Sequence, residues 1–290
     1  MRGEMLGTGF IGAGTVGTAL AVLLDSKGYR VTGVSDIIPA AAKNLADTLK
    51  TCRALDSNQD VADTAELVFI TTPDTVIPTV ASQLKWHKGQ SIVHCSGADS
   101  TDILEPARQA GAGVGSFHPL QTFAGVREAV ENIPGSTFAI ESSGALADIL
   151  KQMAADLGGN SIELKAGDKV AYHAAAVLAC NYLVTLTKMS TDLWQTFDVP
   201  PGQAVTALLP LMRGTLHNIE TIGLPRCLTG PIARGDAVTV SKHLKALKQK
   251  SPSLLTTYRE LGLQTIPVAI AKGKITENQA HELEDTLKQT

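Results

Sequence analysis

An open, mostly parallel α/β sheet followed by an all-α domain is the fold class that this 290-residue sequence predicts. Three observations carry it. Short apolar runs alternate with Ala- and Leu-rich helical stretches through residues 1–165, the rhythm of successive strand–helix–strand units. The first apolar run ends in glycines that lead directly into a helix, a strand–turn–helix junction. From residue 166 to 290 the pattern is helical throughout, which sets the expected boundary of the second domain.

Element by element, Met5 to Ile11 reads as a buried first strand, and the Ala/Leu/Val-rich stretch to Lys27 as its helix. Tyr29 to Ser35 is the second strand and Pro39 to Leu49 the second helix. Leu67 to Thr72 is a continuous apolar run typical of a strand buried on both faces, and Pro73 ends it. A helix over Thr75 to Leu84 leads to a strand over Ser91 to His94. Gly113 to Ser116 is a further strand, with His118 at its terminus held by Pro119. Thr137 to Glu141, a helix over Ala145 to Leu157 and a short strand over Ser161 to Leu164 close the first domain.

The glycines at 12, 14 and 17 stand at the G-x-G-x-x-G spacing, in the strand–turn–helix context that gives that spacing meaning. Gly12 permits the tight turn, Gly14 lets backbone approach a diphosphate, and Gly17 lets the helix pack close to the strand. The helix N-terminus supplies the positive end, so Gly12, Ala13, Gly14, Thr15, Val16 and Gly17 are candidate dinucleotide contacts. Asp36 follows the second strand 19 residues beyond Gly17, where an acid that grips the ribose hydroxyls belongs. A carboxylate there repels a 2'-phosphate, so NAD is favoured over NADP. Thr71, Thr72 and Pro73 fall on the loop that would cross the nicotinamide ribose, although Pro73 also serves as a simple strand stop. Ser96 and Gly97 fall at the same sheet edge. His118 arrives where a hydride-transfer site needs a proton donor or acceptor, against the alternative of a structural histidine.

Composition excludes several other classes. A net charge of -3 argues against nucleic acid. The four cysteines, Cys52, Cys95, Cys180 and Cys227, form no C-x-x-C pair, so no metal site and no redox dithiol is expected, and reduced thiols fit a cytoplasmic protein. Met5 to Leu24 has the length of a membrane span and no charge, but its Gly and Thr content suits a strand and helix better, so no membrane is expected as a partner.

In the second domain Asp168 is positioned to cap a long helix running toward Thr196, before Pro200 and Pro201 stop it. Lys169 and His173 are four apart on it, with Cys180 and Asn181 two turns beyond His173, so the four share one face. A helix over Gly202 to Ile222 carries Arg213, His217 and Asn218. The turn-rich LTGPIARGD follows, in which Arg234 is either a carboxylate clamp or a solvated loop residue. Asp236 is placed to cap a helix over Ala237 to Lys248. Ser251-Pro252 opens another that Pro267 should kink, and Thr276 with Gln279 forms a capping box for the last.

The strings GFIGAGTVG, VHCSGADS, SFHPLQTF, YHAAAVLACNYLVTL and LTGPIARGD resemble, in that order, a family of predicted NAD(P)-binding oxidoreductases. These join a Rossmann-like domain to a C-terminal helical domain of unknown function. The layout is also similar to the 6-phosphogluconate and β-hydroxyacid dehydrogenase superfamily. Prephenate dehydrogenases carry a Ser and a His-Pro that match Ser96 and His118-Pro119, and the resemblance implies that His118 bonds the reacting substrate oxygen while Ser96 orients it. Their Ser-His-Leu-Pro-His signature is absent, and Ala-Cys-Asn-Tyr stands in its place, which argues against prephenate itself. β-Hydroxyacid dehydrogenases place a catalytic lysine and an asparagine four residues on. Lys169 matches the first, and His173 takes the asparagine's place. On that resemblance Lys169 protonates a carbonyl or binds a carboxylate, while His173 and Asn181 hold other substrate oxygens. The implied function is an NAD(P)-dependent oxidoreductase of a small carboxylate-bearing keto or hydroxy acid, ketopantoate-like, working as a homodimer through the helical domain. A non-catalytic NAD(P)(H) redox sensor is the alternative, as is a prephenate-dehydrogenase-like enzyme.

Overall fold

The computed structural model describes residues 6–289, so the expected strand start at Met5 lies outside the described residues. Eight strands form one sheet. They are β1 (Thr8–Ile11), β2 (Val31–Ser35), β3 (Arg53–Ala54), β4 (Leu67–Ile70), β5 (Ser91–His94), β6 (Gly113–Leu120), β7 (Thr137–Glu141) and β8 (Asn160–Glu163), in the spatial order β3-β2-β1-β4-β5-β6-β7-β8. Every pairing is parallel except β6 with β7. The order runs outward in both directions from β1 and β4, which puts a crossover, and hence a crevice, beyond their carboxyl ends.

Helices cover both faces. Helices α1 (Thr15–Ser26), α2 (Pro39–Thr48), α6 (Val126–Asn132) and α7 (Gly144–Asp156) bury residues in one core cluster with Phe10, Leu67, Phe69 and Val93. Helices α3 (Asn58–Thr64), α4 (Ile77–Gln83) and α5 (Glu105–Gln109) bury residues in a second with Ile11, Val68, Ile70 and Ile92. Successive strand residues therefore belong to opposite clusters, the period-2 alternation of a sheet buried on both sides. Phe10, Phe69, Phe117 and Phe138 run across the first face, with centroid separations of 5.2, 6.1 and 4.5 Å.

The sequence expectations need four corrections in this unit. Strand β4 stops at Ile70 rather than Thr72, although the Thr71 N–H still donates to the Ile11 carbonyl at 2.8 Å. The helix expected from Thr75 is a tight turn over Asp74–Val76 followed by α4, because a proline in the first turn of α4 suits a helix start. Strand β6 runs to Leu120, so His118 lies within a strand and not at its end. Parallel pairing with β5 ends at Ser116, and from there β6 is held by β7 alone, where Pro119 has no second neighbour to disappoint. Finally, the compact first unit extends to Cys180 and not to 165. Helix α8 (Lys169–Ala179) belongs to it because Lys169 is anchored among the strand ends.

The long helix expected from Asp168 to Thr196 is interrupted. Cys180, at φ -111° and ψ -64°, separates α8 from α9 (Asn181–Gln195). Asp168 does not cap α8 with its side chain; its carboxylate accepts from the Lys165 N–H instead. The shared face proposed for Lys169, His173, Cys180 and Asn181 therefore does not continue as one helix.

The second unit, from Asn181 on, is helical. It contains α9, α10 (Pro201–Ile222), α11 (Ala237–Lys250), α12 (Leu255–Lys272) and α13 (Glu277–Lys288). Its core of Val240, Leu244, Ile266, Ala269, Leu283 and Leu287 comes from α11, α12 and α13. Asp236 caps α11 through the Thr239 N–H, Thr276 and Gln279 make the expected capping box on α13, and Pro267 lies inside α12. Helices α9 and α10 leave large apolar residues uncovered, among them Val184, Leu211 and Leu216. Within Ala166–Gln195 an 18-residue window has a mean hydropathy of 1.4, enough to cross a membrane by length and composition.

Candidate functional site

The β1–α1 turn is built around missing side chains. Gly12 adopts φ +107°, and a Cβ there would come within 2.8 Å of the Thr71 backbone. A Cβ on Gly17 would meet the Gly12 carbonyl at 2.3 Å and Thr71 Oγ1 at 2.4 Å. That contact is already a bond: Thr71 Oγ1 donates to the Gly12 carbonyl at 2.7 Å. Thr71 thus clamps the turn. Over Gly14 nothing lies within 4 Å, and no side chain caps α1. Its first N–H groups are left for a ligand, so a diphosphate fits this cradle.

Asp36 holds the same turn. One carboxylate oxygen accepts the Ala13 N–H at 2.6 Å and the other the Ile38 N–H at 2.8 Å. Thr72, Thr15 and Val16 flank the cradle, and Thr72 Oγ1 is buried with no hydrogen-bond partner among the described residues. Pro73 leads into the turn over Asp74–Val76.

A second cluster gathers beyond the end of β5 and along the second half of β6. Lys169, at the start of α8, is 1% exposed; its Nζ donates to the Ser96 carbonyl at 2.8 Å and to Ser116 Oγ. It does not reach solvent. Burial pulls the Lys169 ammonium down to about 8, against the opposing pull of the Glu141 carboxylate. The Ser96 hydroxyl faces Asp74 at 2.8 Å and Asp99 at 2.9 Å, and accepts the Asp99 N–H at 3.1 Å. Ser96 therefore ties its side chain to its own loop and to the turn over Asp74–Val76, and presents its carbonyl to Lys169.

One turn along α8, Tyr172 Oη lies 2.8 Å from His118 Nδ1, with the rings edge to face. His173, the next residue, is 6.0 Å from His118 between ring centroids. Both imidazoles converge on Gly97: a Cβ there would sit 2.7 Å from His173 Nδ1 and 2.8 Å from His118 Nε2. His173 Nδ1 is buried without a hydrogen-bond partner among the described residues. Burial, reinforced by Lys169 and His173, lowers His118 to about 4, and burial raises the Tyr172 phenol to about 12. His94, at the end of β5, is fully buried and lowered to about 3, first by burial and then by Lys169. At neutral pH His94 and His118 are therefore uncharged imidazoles beside the buried Lys169.

The fold thus brings together Ser96, Gly97, His118, Lys169 and His173 of the residues singled out from sequence. Asn181 and Arg234 belong to the second unit. Asn181 opens α9, and Arg234 lines a cavity of about 450 Å³ with Lys272 and Lys274. Sequence reasoning missed Tyr172, Ser116, Asp74 and Asp99. For Tyr172 a signal existed, because it stands three residues after Lys169 on a helix and so shares its face. Nothing in the sequence pairs Ser116 with a lysine 53 residues away.

Comparison with known proteins agrees with this architecture. A Rossmann-like domain profile matches residues 1–119, and the profile of a domain of unknown function, DUF2520, matches residues 136–265. No curated protein matches the chain. A Thermotoga maritima protein of known structure is 26% identical, with 91% of this chain and 99% of that one covered and a TM-score of 0.72. A candidate NADP oxidoreductase from Bacteroides fragilis is 23% identical over 91% of this chain and 98% of its own, with a TM-score of 0.71. A reductive aminase from Aspergillus terreus, solved with NADPH and ethyl levulinate, is 14% identical over 97% and 99%, with a TM-score of 0.66. The chain is therefore a two-part protein of Rossmann-like fold followed by a helical region that DUF2520 partly covers.

Proposed function

We propose that this protein is an NAD(P)-dependent oxidoreductase of a small carboxylate-bearing keto or hydroxy acid, ketopantoate-like in size. The carrying observation is the cluster of half-buried His118, Tyr172 and His173 around the buried Lys169, at the carboxyl edge of the same sheet whose glycine turn leaves an uncapped helix N-terminus. A nicotinamide held there would supply or accept a hydride. The similar candidate NADP oxidoreductase from Bacteroides fragilis and the reductive aminase from Aspergillus terreus, solved with NADPH, support the same class of cofactor. Gly14 leaves open space for the diphosphate, Gly12 and Gly17 let the turn and helix close up beneath it, and Asp36 favours the unphosphorylated ribose of NAD.

The chain's own residues then bind and protonate. Lys169 places a positive charge behind the cluster, which favours an oxygen that gains negative charge over a cationic iminium. His118, neutral at physiological pH, stands ready to exchange a proton with that oxygen.

We also propose a homodimer. The uncovered apolar residues of α9 and α10 support a second copy as the partner of the helical domain.

The test is fluorescence titration with NADH and NADPH, followed by 2-keto and 3-keto acids watched at the nicotinamide absorbance. Tighter NADH binding and oxidation by a keto acid are expected, with His118→Ala abolishing most turnover at unchanged cofactor affinity. Tighter NADPH binding would overturn the role given to Asp36. Failure to bind either nucleotide would overturn the whole reading.

A further inference from the structure

Tyr172 has no role in the cofactor cradle or in binding the substrate carboxylate, yet its hydroxyl is spent on one nitrogen of His118. Two arrangements of that bond are possible. Either Nδ1–H donates to the phenol oxygen, or the phenol O–H donates to a bare Nδ1. An imidazole nitrogen is the stronger base and acceptor, and a phenol is the stronger acid and donor, so the second arrangement is favoured. It leaves the proton of the neutral ring on Nε2. That nitrogen is the one that converges with His173 Nδ1 over Gly97.

We infer that Tyr172 and His118 form a proton relay, in which Tyr172 fixes His118 in its Nε2–H tautomer and replaces the proton that Nε2 gives to the substrate oxygen. The inference rests on the oxidoreductase reading for its substrate, but the tautomer does not. In the reductive direction the electron pair arrives at the carbonyl carbon as hydride from reduced nicotinamide, and the C=O π pair moves onto oxygen. That oxygen takes the Nε2 proton while Nδ1 takes the Tyr172 proton. The tyrosinate left behind recovers a proton from solvent. In the oxidative direction each proton moves back along the same path. Tyr172 acts through His118 and is a positioning and relay residue. Because its phenol is raised to about 12, it keeps its proton between turnovers, and it is still a stronger acid than the alcohol that the protonated alkoxide becomes.

The groups that bear on His118 are Tyr172, His173 and Lys169 from α8 and His94 from β5. Long-range proton–nitrogen correlation spectra of the histidine rings, recorded on the full chain at neutral pH and assigned with His118→Asn, read the tautomer directly. The wild-type protein is expected to show His118 as a single Nε2–H tautomer. A dominant Nδ1–H tautomer would overturn the relay, and this result needs no variant to fold and no substrate to be known. In Tyr172→Phe the two tautomers should mix and the protonation midpoint of His118 should rise, since a bond to the neutral form is lost. An unchanged spectrum would overturn the relay. With whichever keto acid oxidises the reduced nicotinamide in the screen proposed above, the same substitution should lower kcat roughly ten- to a hundredfold at unchanged KM. Unchanged kcat alongside the expected tautomer shift would leave Tyr172 as a positioning residue and overturn its part as proton source.

Discussion

A lysine with 1% of its surface exposed and two hydrogen bonds to strand ends works differently from one that reaches water. Lys169 fastens α8 to the loop after β5 and to β6, and its charge depresses His94 and His118. Its pH signature follows from burial. The folded value of about 8 lies below the ordinary 10.5, so between those two pH values the unfolded chain carries a proton that the folded chain has lost. Stability therefore rises as pH rises through that window, and the cost of the charged amine, on the order of 3 kcal/mol, is fully present below about pH 8. Lys169→Met should abolish this rise, as urea unfolding at pH 7.5 and at pH 10 would reveal. An equal rise in the variant would mean that another group titrates. His94 and His118, both lowered, act in the acid range, where the folded state loses stability as they are forced to charge. At this scale the sequence disclosed Lys169, His173 and His118 as candidates, because polar residues stand out in apolar surroundings. Tyr172 shares a helix face with Lys169, but a tyrosine on an Ala-rich helix reads as packing until its partner on a distant strand is known.

Among the elements, the β1–α1 junction was the most legible, since its demands are local. A turn with positive φ, an open approach and a close helix contact each require glycine, and the two spacings between the three glycines follow from a tight turn running directly into a helix. Gly17→Ala tests this contact: its Cβ would lie 2.3 Å from the Gly12 carbonyl, so α1 must shift away from the turn. We expect a loss of about 1–3 kcal/mol in stability and at least a tenfold weaker NADH titration. Wild-type binding in a folded variant would show that the close contact does not shape the cradle. Strand β6 was less legible. Pro119 reads as a stop, and only the end of β5 at Ser116, with β7 continuing alone, explains why the strand passes through it. The break at Cys180 was likewise silent, because the sequence around it is apolar and carries neither Gly nor Pro.

For the whole molecule, the unfinished surface is the apolar side of α9 and α10. Leu211 is 67% exposed and Val184 70%, more than scattered surface leucines require. Sedimentation at micromolar concentration should therefore find a dimer, and Leu211→Glu should convert it to a monomer while α11, α12 and α13 keep their separate core. A monomeric wild-type protein would sink the dimer proposal. Recovery of the intact chain with membranes would give Ala166–Gln195 a different partner.

By itself the sequence determined what depends on neighbours in the chain: the strand–turn–helix junction, the alternation that makes a parallel sheet, the helix caps at Asp236 and Thr276, and the all-α second half. Periodicity and backbone sterics act over a few residues, so they are written locally. Only the tertiary structure decided that Lys169 is buried and bound to Ser96 and Ser116, that Asp36 ties down Ala13, and that Tyr172 meets His118. Those facts depend on which strand ends the sheet order brings together, and on the loss of water around them, which no local pattern encodes.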